Sequence, residues 1–515
     1  MQKIRSSLIV PLALALLLGA TAAWAFQMSE SSEPEESANS LPRLVPAPPP
    51  QTGPGLRPLF YRWRILDAYG VQVPRYSIID PYNQNALKGD LPAFGLNTFV
   101  VLTALYTPKT VFTSQENVDT QFNNDLITAF EIFHGATVFK PKDWSLKASG
   151  KGILNRGNNQ DVEDFSFLEL FGELKLFDVG RNYDFTAIRA GSQFFKTDFN
   201  GFIFQDFNLG AQIFGELNAN RTQWALAYLD LRVKENGLLT FDRLDQQVFF
   251  ANFFIQDFLR PGFNTVFSVH YNRDRRDRFV TGLGLDELDV FYFGMAADGH
   301  WGRIEFNPAV YFAFGKDKFI TIGEAGPDDF IENELDITAF LAGVEFAYPS
   351  DYRNYRAAVF VTSGDSDPFD DKAKGFASIN ENINLFGGAN SFIIGGAAFT
   401  KANSFIPSNQ GVFSDFINPG MLLANVGLDL VLTPKLFFAS NFNYLQFLTT
   451  ESVLGVDSKS IGVEFNSVFN YRLFLNENLI LQLGGNLFFP FDGGKQVLGN
   501  SDPIFTGNVN LVFLY

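Results

Sequence analysis

From about Asn97 onward, apolar and polar residues alternate with a period of two. In the run Ile461–Arg472, Ile461, Val463, Phe465, Phe469 and Tyr471 fall on one face with Ser467, while Gly462, Glu464, Asn466, Asn470 and Arg472 fall on the other with Val468. Such alternation reads as a strand with one apolar and one wet face. Leu479, Leu481, Leu483, Leu487 and Phe489 repeat it against Gln482, Gly484 and Asn486. Leu422–Leu432 places Asn425, Gly427 and Asp429 on its polar side, and in Ser166–Leu176 the leucines 168, 170, 174 and 176 oppose Glu169, Glu173 and Lys175. These runs last about 10 to 14 residues, against about 5 or 6 for a strand in a soluble protein. A tilted strand needs about 9 to 11 residues to cross a bilayer. The pattern therefore predicts a transmembrane antiparallel β-barrel over residues 97–515.

The spacing of connections supports this reading, because membrane barrels have short periplasmic turns and longer extracellular loops. Short links are expected at 139–142, 178–184, 218–221, 259–262, 299–301 and 348–354. Longer ones fall at 107–123, 154–162, 234–245, 274–287 and 316–334, with a shorter link near 195–202 keeping the alternation. Toward the C-terminus, 433–434 and 474–477 are short, while 449–458 and 490–504 are longer. The region 364–419 decides the strand number. As one extracellular excursion it leaves 18 strands, the preferred count; if Phe376–Phe386 pairs with Ser391–Thr400, the count is 20. Val509, Leu511, Phe513 and Tyr515 alternate to a terminal aromatic, the kind of final strand that outer-membrane barrel-assembly machinery reads.

The N-terminus is organised differently. Lys3 and Arg5 precede an apolar stretch from Leu8 to Leu18, and Ala23-Trp24-Ala25 forms a small-residue cleavage site, so residues 1–25 read as a secretory signal. The apolar run is short and carries Pro11, which argues against a membrane anchor. Residues 26–59 are rich in Ser, Glu and Pro. Such a composition cannot bury enough apolar surface to offset its ordering entropy, and predicts a disordered periplasmic linker. Residues 60–96 are too irregular for a membrane strand and form a pre-barrel segment, a candidate plug.

Composition narrows the class further. Hydrophobic residues make up 46% of the chain, with 60 Phe and 44 Gly, yet the only apolar run near helix-spanning length is the signal. There is no cysteine, which excludes disulfides, a lipoprotein anchor and covalent haem attachment. Net charge is −17, and −19 once Lys3 and Arg5 leave with the signal. No basic stripe accompanies it, so nucleic acid is not an expected partner.

Strand phase points Glu169, Glu173, Lys175, Arg189, Gln193, Gln212, Glu216, Asp429, Glu464 and Arg472 toward the lumen. Opposed acids and bases there can tune ion selectivity; equally, they can pair with one another and hold the barrel's shape. The three histidines, His134, His270 and His300, are far apart in sequence. No nucleophile, base and orienting group fall together, so no enzyme and no cofactor are expected. His270 shares a face with Ser268 and Asn272 and is expected to point inward. The carboxylates of Asp365–Asp371 lack the glycine and closing glutamate of a calcium loop, and read as a solvated loop. Arg273–Arg278 alternates in sign. It suits internal salt bridges better than capture of anionic lipopolysaccharide.

Several segments resemble a largely uncharacterised family of Gram-negative outer-membrane barrel proteins. They are IDPYNQNALKGDLP (79–92), FEIFHGATVFKPKDW (130–144), YDFTAIRAGSQFFKTDFNGFIFQDFNLGAQIFG (183–215), DLRVKENGLLTFDRLDQQVFFANFFIQDF (230–258), DPFDDKAKGFASINENINLFGGANSF (367–392) and INPGMLLANVGLDLVLTPKL (417–436). A fainter similarity to alginate-export barrels rests on Arg189–Gln193 followed by Gly210–Gly215. The resemblance implies location and fold more than activity. Some relatives are encoded near multihaem cytochromes, which implies one alternative. The leading expectation is a porin-like outer-membrane channel for small hydrophilic solutes or ions, embedded among lipid and lipopolysaccharide. The alternatives are a barrel sheath around a periplasmic partner such as a multihaem cytochrome, and a polysaccharide export channel.

Overall fold

The computed structural model describes residues 93–514, apart from residue 96 and the segments 115–117, 136–140, 158–160, 181–183, 236–237, 277–285, 323–329, 380–413 and 474–478. The signal, the linker, most of the pre-barrel segment and Tyr515 lie outside the described residues. The first strands are β1 (Thr98–Ser114), β2 (Val118–His134), β3 (Trp144–Gly157), β4 (Val162–Asp178), β5 (Phe185–Lys196) and β6 (Gln205–Leu217). Next come β7 (Thr222–Glu235), β8 (Leu238–Ile255), β9 (Phe263–Asp274), β10 (Asp286–Trp301), β11 (Ile304–Ile322), β12 (Phe330–Ser350) and β13 (Arg353–Thr362). A two-residue β14 (Lys372–Ala373) precedes β15 (Met421–Thr433), β16 (Leu436–Phe447), β17 (Ser460–Arg472) and β18 (Leu479–Pro490). A short helix α1 (Asp492–Leu498) leads into β19 (Ile504–Leu514).

Each barrel strand pairs antiparallel with its neighbours, and the ring closes where β1 meets β19, with Leu105 opposite Leu514 and Thr110 opposite Val509. Strand β13 pairs directly with β15, from Arg353 opposite Leu430 to Thr362 opposite Met421. The segment between them therefore adds no strand to the wall there, and the ring has 18 strands with β14 set aside. The alternative hairpin 376–386/391–400 falls largely outside the described residues. Strand β14 extends the sheet locally, pairing parallel with Asp336 and Ile337 of β12 above the end of the shorter β13.

Closure matters physically because a backbone in lipid must satisfy every N–H and C=O internally, and a ring has no free edge. The side chains divide by face as the alternation requires. Leu170, Leu174, Ile188, Leu226, Val269, Phe293, Val426, Phe465 and Phe513 stand on the exposed outer surface. Glu169, Arg189, Asn252, His270, Asn443 and Glu464 are buried on the inner one. Near the short-turn rim, His134 stacks on the outward Trp144 at 6.0 Å.

The long links differ from expectation. The hairpin expected to open at 107–123 keeps its strands paired up to Ser114 opposite Val118, and that at 234–245 up to Glu235 opposite Leu238. Above a membrane both faces of a hairpin meet water, so polar residues occupy both phases and the period of two disappears while the ladder continues. The turn expected at 299–301 falls at 302–303, since β10 runs to Trp301 and β11 starts at Ile304.

Candidate functional site

Two long-loop-end segments fold into the lumen. The first, residues 197–204 between β5 and β6, is built around Asp198, whose carboxylate accepts the N–H groups of Asn200 (2.8 Å), Gly201 (2.5 Å) and Phe202 (3.0 Å). This tight turn, with Gly201 at φ +74°, throws Phe202, Ile203 and Phe204 inward, where all three are fully buried. Burial pushes the Asp198 carboxyl up, against the pull of those same N–H donors. Asn252 of β8 donates to the Thr197 carbonyl at 2.9 Å and fixes the base of the turn. Phe202 stacks on Phe360 of β13 at 5.6 Å. With β13 eight strands from β5 in a ring of 18, this loop crosses nearly the whole lumen.

The second inward segment follows β13. Its two stems approach closely: a Cβ on Gly420 (φ +61°) would sit 2.5 Å from the Gly364 nitrogen. Asn418, fully buried, locks the entrance by donating to the carbonyls of Phe376 (3.1 Å) and Asp415 (2.9 Å) and accepting the Gly420 N–H (3.0 Å). The Ile379 N–H donates to the Ile203 carbonyl at 3.1 Å, joining the two inward segments. Phe376 and Phe416 pack on Tyr292 of β10, with centroids 6.2 and 6.5 Å away. An apolar core thus fills the lumen in front of β5–β13 and reaches the upper ends of β15–β18 at Phe447 and Phe488.

Below this core, toward the short turns, a buried ion network lines β2–β5. Lys142 bridges Glu131 (2.9 Å) and Glu173 (3.6 Å), and Arg189 binds Glu173 through Nε (2.7 Å) and Nη2 (2.5 Å). Lys147 pairs with Glu169 (2.8 Å), which also accepts the Ser149 hydroxyl (2.9 Å). The Arg189 guanidinium lies over the rings of Phe171 and Phe214, at 4.9 and 5.1 Å. Gln212 donates to Gln193 at 3.0 Å. Lys175 is held at the turn by Asp143 (2.9 Å) and Asp178 (3.0 Å), and Glu216 is buried one row from the end of β6. Across the barrel, Arg356 binds Asp429 with both Nε (2.9 Å) and Nη2 (2.8 Å), and Asn443 donates to Glu464 at 3.3 Å. Arg472 lies over Phe437 at 4.4 Å.

Every inward charge expected from phase is on the inner surface, but most are tied into the wall. The inner polar residues that keep partial access to the lumen are mostly of another kind. On β17–β19 they are Asn470, Gln482, Asn486, Asn508 and Asn510, with Arg472 the one charge among them. Asn510 donates to Gln482 and Gln482 donates to Asn470, both at 2.8 Å, forming an amide chain across three strands. Lys109 and the pair Lys151–Asp125 (2.7 Å) continue this open lane on β1–β3. Phase also carried the information for Glu131, Lys142's partner, and for Arg356, opposite Gly427 and beside Asp429. Nothing local to 135–143 foretold that Lys142 turns inward.

The other candidates resolve simply. His270 is fully buried beside Phe250, with centroids 6.0 Å apart, and His300 is exposed at the end of β10. Arg275 pairs with Asp289 (2.7 Å) and Arg276 with Asp274 (2.5 Å), while Asp277 and Arg278 lie outside the described residues. Among the described residues no group of acids, histidines or cysteines is arranged to hold a metal.

Asp365 departs from the solvated loop expected of it. It is fully enclosed, its N–H donating to the Asn418 carbonyl at 2.7 Å and its carbonyl accepting the Thr449 hydroxyl at 2.9 Å. Burial pushes its carboxyl up to about 6; Asp370 and Asp367 act in the same direction, while the Asp367 N–H and Lys374 oppose them. The unfolded value is about 3.9. A raised folded value means that this group's contribution to docking is fully present below about pH 4 and is lost as pH rises through about 6. Limited proteolysis of the 363–420 segment should therefore be slower at pH 5 than at pH 7.5. Asp365→Asn should abolish that difference; a variant that keeps it would assign the pH effect elsewhere.

No protein-family model matches the sequence, and no curated protein is significantly similar to it. Among solved structures the fold is similar to OccK5 (OpdH) of Pseudomonas aeruginosa, at 12% identity and a TM-score of 0.47, covering 80% of this chain and 97% of that one. OccAB1 of Acinetobacter baumannii is similar at 11% identity and a TM-score of 0.49, covering 81% and 96%. The outer membrane protein OprD of Pseudomonas aeruginosa is similar at 10% identity and a TM-score of 0.47, covering 81% and 93%. At these identities no residue role is carried from those proteins to this chain.

Proposed function

We propose that this chain is an outer-membrane channel through which small hydrophilic solutes pass passively along a lane lined by the amides of β17–β19 and continued by Lys109, Asp125 and Lys151 on β1–β3. The observation that carries the reading is the division of the lumen. Two inward segments pack against one sector, and the polar residues that keep access lie on the other. Amides offer both donors and acceptors without net charge, so they replace the hydration of sugars and other neutral polar solutes without holding them tightly. The closed wall with its apolar exterior supports a membrane location, and the alternation of short turns with longer loops supports a periplasmic N-terminus. Residues 1–25 then act as the export signal and 26–59 as a periplasmic linker. The outward Val509, Leu511 and Phe513 present the final strand to the assembly machinery, and residues 60–96 remain the candidate plug.

Liposomes carrying the protein should swell in isotonic solutions of small neutral sugars, and more slowly as sugar size increases; no swelling with any of them, by the mature chain or by the chain lacking residues 26–90, would overturn the reading. Paired substitution Gln482→Glu and Asn510→Asp should shift the reversal potential in a salt gradient toward cation preference, because it places charge on the open lane. An unchanged potential would move the lane elsewhere. The sheath reading is disfavoured because the inward segments occupy the volume that a protein partner needs. Polysaccharide export is disfavoured because uncharged amides dominate the lane on β17–β19.

A further inference from the structure

The outer surface carries an ordered boundary on β5–β12. Register places Tyr228, Phe249, Tyr271, Phe291 and Phe314 side by side in one outward row. The next outward row toward the long loops reads Asp230, Gln247, Arg273, Asp289, Lys316 and Asp336. Aromatic girdles mark the two interfaces of a membrane barrel, so the charged row lies at headgroup level on the loop side.

Below that boundary the surface is hollowed. Ala190 and Ala211 stand beside Tyr228 in the aromatic row, and Ala251 stands between Leu226 and Val269 in the row beneath. These small side chains floor two adjoining apolar hollows of about 680 and 660 Å³, which share Leu226, Ala251 and Val269. Tyr271 and Phe291 wall the upper end of the first.

Directly above Tyr271 stands Arg273. The acids around it are already engaged: Asp230 by Arg232 (3.0 Å) and Arg243 (3.3 Å), and Asp289 by Arg275 (2.7 Å) and the Tyr271 hydroxyl (2.6 Å). Arg273 is exposed; its charge also stabilises the Asp289 carboxylate, but it closes no salt bridge within 4 Å among the described residues. An exposed guanidinium at the headgroup level, beside acids already engaged by other arginines and above an apolar hollow at acyl-chain level, matches an amphiphile with an anionic phosphate and hydrocarbon tails. Arginine suits phosphate because its planar fork donates two parallel hydrogen bonds.

We propose that this face of β5–β10 is a lipopolysaccharide site, with a lipid A phosphate on Arg273 and an acyl chain in the hollow floored by Ala190, Ala211 and Ala251. It rests on the outer-membrane reading above, which puts the long-loop rim in the outer leaflet. That leaflet's lipid is lipopolysaccharide, so this source is favoured over a phospholipid.

The test uses the full mature chain, delipidated in detergent and titrated with purified lipopolysaccharide or with phosphatidylglycerol, bound lipid being counted by native mass spectrometry. Wild type is expected to retain lipopolysaccharide at a defined stoichiometry and phosphatidylglycerol weakly. Arg273→Glu should lower lipopolysaccharide affinity at least several-fold by presenting repulsion to the phosphate. Ala211→Phe, which fills the hollow and leaves Arg273 in place, should lower it as well. Equal retention by wild type and both variants, or equal binding of the two lipids, would overturn the site and leave an ordinary lipid annulus. Bilayer conductance of the same samples separates the two readings. A conducting barrel that ignores lipopolysaccharide overturns only the lipid site, whereas a barrel that binds it but stays silent both in full length and without residues 26–90 overturns only the channel.

Discussion

Replacing residues 366–415 by a short turn should raise single-channel conductance several-fold while leaving the barrel folded. The wall at this point does not depend on the excised segment, because β13 and β15 are hydrogen-bonded to each other from Arg353–Leu430 to Thr362–Met421. What is lost is the inward packing of Phe376, Ala377 and Ile379 against Tyr292, Ile203 and their neighbours. The stems stay close at Gly364 and Gly420, so a short connection has little distance to span. Removing buried aromatic packing costs stability, with about 3–5 kcal/mol typical for one large ring, but here it exposes lumenal surface to a channel already wet. Conductance equal to that of the full chain would show that the inward segment does not restrict the lane.

Arg189→Met should destabilise the barrel strongly. Glu173 is buried and is held by two contacts from Arg189 and a longer one, 3.6 Å, from Lys142. Taking away one partner of a buried pair leaves a charge uncompensated and costs about 3–5 kcal/mol. The midpoint at which the folded band disappears on heating in detergent gels should fall accordingly. Adding Glu173→Gln should recover part of the loss, since no buried charge then lacks its partner on that side, although Lys142 keeps only Glu131. An unchanged midpoint in Arg189→Met would mean that the network is not a structural clamp.

Much of the architecture was legible in the chain because two solvents act on each strand. Where lipid lies on one side and water or packed polar groups on the other, the period of two is forced, and Ile461–Arg472 or Leu479–Phe489 could be assigned by face. Where water lies on both sides, as at 107–114 and 118–123, the period vanishes and the ladder cannot be seen in the residue order. The inward segments were illegible for a different reason. TDFNGFIF (197–204) is a loop by its Asp, Asn and Gly, and its Phe202 finds its packing partner eight strands away in Phe360. No local pattern encodes a contact of that range. The same holds for Asp365: its acidic run reads as solvated, and only the closure of the stems by Asn418 encloses it. Among lumenal residues, phase found the charges but could not tell which are engaged by neighbours. That distinction moved the candidate pathway from Glu169, Glu173 and Arg189 to the amides of β17–β19.

The measurement closest to the central claim is single-channel conductance of the mature chain in a planar bilayer, compared with the chain lacking residues 26–90. An open pathway along the amide lane gives steady, ohmic steps in the full chain. Steps that appear only after truncation would identify the pre-barrel segment as a plug and still establish the channel. Silence in both forms, with the barrel correctly inserted, would contradict the account.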